Sequence, residues 1–157
     1  MSEPVDALWR RFCAAEDEFF AARTELIKSG ANLTPLIATA LSDPSRRHTG
    51  LRLLEIFPET SSRLHLVALV ALASWAHGDI DLVRALLARI DRAWLLAHLE
   101  APVASILGTG DDEEHRRVAE LYKHLGEREL LAKHLRVCAA HTSSDIREIA
   151  EDFRANG

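Results

Sequence analysis

Apolar residues recur three, four or seven positions apart through nearly the whole chain, and residues that stop or start helices interrupt the pattern at intervals. In segment 5–28 the pattern is carried by Val5, Leu8, Trp9, Phe12, Phe19, Phe20, Leu26 and Ile27. Ser29-Gly30 ends it, since glycine is free to take the left-handed conformation at a helix C-terminus. Segment 33–41 has Pro35 near its first turn, where a missing N–H is harmless. Ser42-Asp43-Pro44 opens a helix over 44–57, which Pro58 terminates. Thr60, Ser61 or Ser62 caps the next, expected to reach His77-Gly78. Asp79 caps 80–90, and Asp91 opens 94–107, with a kink or break at Pro102. The acids Asp111 to Glu114 suit the positive end of a helix that runs to Leu125-Gly126. A helix over 127–141 follows, and Thr142, Ser143 or Ser144 caps the last, whose Ile146, Ile149, Ala150 and Phe153 face inward.

Composition agrees with this reading. The 157 residues are 48% hydrophobic, enough for a core and too apolar for disorder. Aromatics at 6%, with 7 Gly and 5 Pro, argue against a β-sandwich or barrel. The expectation is a single all-α domain over 1–157. Its burial should centre on Leu53, Leu54, Leu66, Leu69, Val70, Leu72, Leu86, Leu87, Leu95, Leu107, Leu121, Leu125, Leu131 and Leu135. The net charge is −5 and the basic residues are scattered singly or in pairs, which weighs against a nucleic-acid partner. The N-terminus is acidic where a signal peptide is basic, and the longest apolar stretch, 66–73, is too short for a bilayer. A soluble cytoplasmic protein with no membrane contact is expected. Its two cysteines, Cys13 and Cys138, read as reduced, helix-borne and mostly buried.

Asp43, Asp79, Asp111 and Asp145 stand 36, 32 and 34 residues apart, with two expected helices in each interval. Such a period marks stacked helix hairpins. Asp145-Ile146-Arg147-Glu148-Ile149-Ala150 resembles the start of a HEAT-repeat first helix, where an arginine precedes a small residue by three positions. Arg116 with Ala119, and Arg47 with Gly50, repeat that spacing. Residues 33–44 look like a junction between such repeats. Residues 119–138 are also similar to a tetratricopeptide unit, and the Asp79 unit lacks the signature. The resemblance covers 31–154. It implies a short right-handed α-solenoid, capped by the long helix 5–28, that binds partners on a surface and implies no activity.

Candidate sites follow from spacing. His134, Cys138 and His141 lie at i, i+4 and i+7 on one helical face and could hold Zn²⁺ with a fourth ligand from elsewhere. The favoured reading is a core cysteine flanked by two histidines, with no metal and no cofactor. His48, His115 and His124 read as polar-face residues, and His65 as a buried imidazole. The acidic clusters 16–18 and 111–114 are explained by solvation and the helix dipole, and no phosphate loop or nucleophile motif is present. No catalytic residue is expected. Trp9, Phe12, Phe19 and Phe20 exceed one helical stripe, so part of 5–28 is expected to meet a partner protein or a second copy. Arg46, Arg47, Arg116 and Arg117 are the other candidate partner-binding residues. With Arg84 and Arg147 on the same side they would form the basic groove of a nucleic-acid-binding or base-excising protein. A third class is an inhibitor or immunity-type protein that presents its acidic caps to a basic partner.

Overall fold

The computed structural model describes residues 3–155, and these divide into two units. The first, ending at Leu33, holds one helix, α1 (Val5–Lys28), which stops where Gly30 takes φ +68°. The second begins at Thr34 and holds α2 (Thr34–Ser42), α3 (Arg47–Ile56), α4 (Glu59–Arg63), α5 (Leu66–Ala73) and α6 (Ile80–Ala88), then α7 (Arg92–Leu107), α8 (Asp112–His124), α9 (Arg128–Ala139) and α10 (Ser144–Ala155). No strand occurs among the described residues, so the chain is all-α there. No helix is long and apolar enough to cross a membrane.

Within the second unit, α5 is the most apolar helix and packs against α2, α4, α6, α7 and α8. Leu69, Val70, Leu72 and Ala73 are buried on several of its sides, as expected of a helix without a polar face. Two rows of neighbours run through the unit. In one, α3 packs on α6, α6 on α8, and α8 on α10; in the other, α2 packs on α5 and α5 on α7. Gly50 permits the close crossing of α2 and α3, because a Cβ there would lie 3.0 Å from that of Ala40.

Polar cross-links between successive helices of a row, and between α7 and the α9 region, fall at a narrow range of sequence separations. His48 meets Asp79, 31 residues on, at 2.7 Å. Arg89 donates to the Phe57 carbonyl, 32 residues away. Lys133 reaches Glu100 across 33, and Arg92 clasps Glu127 with two hydrogen bonds across 35. Arg84 pairs with Glu120, and Arg116 with Asp152, each across 36. Burial pushes the Glu120 carboxyl up, but the Arg117 and Arg84 guanidiniums outweigh it and hold the group below the usual carboxylate range.

Several expectations need correction. The helix expected over 60–77 is two: the chain turns at Leu64-His65, and α5 ends at Ala73. Neither residue is a helix breaker; the turn lets α5 bury its sides while Leu64 stays exposed. The helix expected from 44 begins at Arg47, because the Asp43 carboxylate accepts from the Ser45 N–H and hydroxyl and holds a turn over 44–46. Asp79 stands at the N-cap position of α6, but no cap hydrogen bond forms and its carboxylate faces His48. Asp145 lies inside α10. Of the four recurring aspartates Asp111 alone has a side-chain cap, a reciprocal box with Glu114. Three helices, α3 to α5, occupy the interval 43–79 where two were expected. Helix α7 continues through Pro102. Leu53, Leu107, Leu125, Leu131 and Leu135 are half-buried, and Cys13 is half-buried on α1. Leu51, Val83, Leu99, Val118 and Ile149 are instead among the fully buried side chains.

Neighbours in α3 test this burial pattern. Leu54→Ala, at a site with 0% exposure, should lower unfolding free energy by about 2–5 kcal/mol. Leu53→Ala, half-buried, should cost about 1 kcal/mol. Urea midpoints at constant slope give both values.

Candidate functional site

The histidines and cysteine chosen for their helical spacing are only partly the ones that meet. His134 and Cys138 lie on α9, one turn apart and both buried. The third member is His115, from the first turn of α8, a residue expected on a polar face and found 3% exposed. Its carbonyl accepts a hydrogen bond from His134 Nε2 at 2.9 Å. The Cys138 Sγ lies 3.5 Å from His134 Nε2 and 3.7 Å from His115 Nδ1. The two imidazoles stack at 5.4 Å with 14° between their planes. One ligand atom from each of His115, His134 and Cys138 falls within 4.8 Å of the others.

Burial dominates the electrostatics here. It pushes both imidazoles below their ordinary value and the thiol above its own, so the resting cluster is neutral at pH 7. His141, proposed as the third member on spacing, is half-buried 5.6 Å from the His115 ring, and its Nδ1 accepts the Ser143 N–H. His115 escaped sequence reasoning because it is 19 residues from His134 and follows four acids that mark a solvated helix start.

Beside the cluster, α7 and α9 stand apart and leave a groove of about 560 Å³. Leu96, Leu99, Val103 and Val137 line it with His134, so the ring belongs both to the cluster and to the groove wall. Tyr122 also lines it; burial, with a smaller contribution from the Glu100 charge, pushes its phenol up to about 12.

The candidate arginines do not form one cationic surface. Arg47 is buried: its Nε donates to the Leu41 carbonyl at 3.3 Å and its guanidinium covers the Trp75 ring at 5.0 Å, so it is not an exposed contact residue. Arg116 pairs with Asp152, and Arg117 with Glu113 and Glu120. Arg84 pairs with Glu120, and Arg147 donates to the carbonyls of His141 and Thr142. Arg46 is exposed.

Trp9, Phe12, Phe19 and Phe20 are all exposed on α1, none of whose residues is buried. Trp9 stacks on Phe12, and Arg23 lies over Phe20 at 4.6 Å and Phe19 at 5.6 Å. As a continuous helix, α1 places Val5, Phe12, Phe19 and Leu26 seven residues apart, and Leu8, Ala15 and Ala22 three residues after the first three of these. This is an a/d seam running the length of the helix. Phe20 falls outside it. The period was legible in the sequence once one unbroken helix was assumed.

No family model, curated protein or solved structure matches the chain.

The different settings of Arg46 and Arg47 give a direct check. Arg47→Ala should cost about 1.5–3 kcal/mol, by removing a charged hydrogen bond and the cover of Trp75. Arg46→Ala should stay within about 0.5 kcal/mol of wild type in the same thermal or urea titration.

Proposed function

We propose that this chain is a non-enzymatic protein-interaction module: a short right-handed α-solenoid of HEAT-like hairpins, carrying an N-terminal helix through which two copies pair. The observation that carries the pairing is the a/d seam of α1 and the charges beside it. Within its own unit α1 is the only helix among the described residues, so no second helix there covers the seam. An apolar stripe of this length is stable in water only when covered.

Positions flanking the seam favour a second copy in parallel register. Arg11 and Glu18 occupy g positions, and Glu16 and Arg23 the following e positions. A parallel pair sets Arg11 of one copy against Glu16 of the other, and Glu18 against Arg23, with no like-charge contact. Antiparallel pairing matches fewer charges: centred on residue 17 it sets Glu16 against Glu16 and Glu18 against Glu18, and shifted by one heptad it forms only the Arg11–Glu18 pairs. Arg11 also holds Glu3 in an exposed ion pair, a contact weak enough to exchange. In the parallel pair, phenylalanine layers at 12 and 19 alternate with alanine layers at 15 and 22.

The solenoid reading is supported by the two rows of helices and by polar cross-links at 31 to 36 residues. Gly50, Ala119 and Ala150, the small residues of the HEAT-like spacing, are all buried. The protein-interaction reading is favoured over nucleic-acid binding because Arg47, Arg84, Arg116, Arg117 and Arg147 are engaged within the chain. Phosphate binding would have to break these contacts.

Light scattering at tens of micromolar should return the dimer mass. Phe19→Asp, in the seam, should weaken association by about 3 kcal/mol or more, a hundredfold or more in Kd. Phe20→Asp should leave the dimer intact. Glu16→Arg should weaken it, and Arg11→Glu added to Glu16→Arg should restore it. A wild type that stays monomeric, or a Phe19→Asp chain that remains dimeric, contradicts the pairing.

A further inference from the structure

We propose that His115, His134 and Cys138 form a zinc-binding site that ties the start of α8 to α9. The three donors are buried, come from two helices, and converge on one point with no carboxylate among them. Their chemistry, one thiol sulfur and two imidazole nitrogens, suits Zn²⁺ and not the hard cations that require oxygen. The spacing agrees. Zinc bonds of about 2.3 Å to sulfur and about 2.05 Å to nitrogen, at the tetrahedral angle, separate S and N by about 3.5–3.6 Å. The two S···N distances here are 3.5 and 3.7 Å. The ring nitrogens, no more than 4.8 Å apart, need only close to about 3.4 Å.

Metal binding has a defined proton balance. Zn²⁺ replaces the Cys138 S–H proton, which leaves to solvent, and forms a thiolate bond. The His134 ring proton moves from Nε2 to Nδ1, so the Nε2 hydrogen bond to the His115 carbonyl is exchanged for a metal–nitrogen bond. His115 binds through Nδ1. Water takes the fourth position, and His134 places the site beside the groove. The site is independent of the α1 seam: its ligands all lie in the second unit.

The test uses the full chain, stripped of metal with a chelator under a non-thiol reductant and titrated with Co²⁺ as the spectroscopic probe. One equivalent should produce intense visible d–d bands of a tetrahedral site and a thiolate-to-cobalt charge-transfer band, both bleached by Zn²⁺. Zn²⁺ should also raise the thermal midpoint. Cys138→Ser should abolish the charge-transfer band, His115→Gln should weaken Co²⁺ binding at least tenfold, and Cys13→Ser should change nothing. A folded wild type that shows no charge-transfer band with excess Co²⁺ overturns the site, whatever the variants do. So does a band that disappears with Cys13→Ser and survives Cys138→Ser.

Discussion

An amphipathic helix in water must cover its apolar stripe, and short helices owe most of their stability to that cover. Every helix from α2 to α10 meets the requirement with neighbours close in sequence order. The most apolar of them, α5, is enclosed by α2, α4, α6, α7 and α8, and its burial organises the helices around it. The one helix with no other in its own unit, among the described residues, is also the longest, and a seam runs along it. Cover supplied within a unit gives the second unit its layers.

Along the rows, polar groups fix register. Arg84 with Glu120, Arg116 with Asp152 and Arg92 with Glu127 each join residues 35 or 36 apart. Partly exposed pairs contribute little net stability. Their value lies in geometry, because each holds a helix against the one two further along the chain. The His115, His134 and Cys138 cluster instead joins the consecutive helices α8 and α9 through neutral groups. Where α7 and α9 separate, the groove opens, and His134 is the cluster residue that lines it.

What the sequence disclosed was local. The helix period, the glycine stops at Gly30 and Gly126, the acidic start of α8 and the inward face of α10 depend on residues within a turn or two of each other. What it concealed was set by neighbours some thirty positions away. Asp79 looked like a cap, but His48 takes its carboxylate. Arg47 looked like a contact residue, but it is buried with its guanidinium over the Trp75 ring. His115 followed a run of acids and so read as solvated, although its side chain turns inward to Cys138. The turn at Leu64-His65 has no local breaker at all; enclosure of α5 by helices on several sides requires it.

The pairing we propose covers α1 with a second copy. Amide hydrogen exchange, measured at protein concentrations well below and well above the dimer dissociation constant, reads that cover residue by residue. The amides of α1 should gain protection as concentration rises, most strongly from Phe12 to Ala22, while those of α5 and α7 keep the same protection at both. Equal protection of α1 at the two concentrations would contradict the claim.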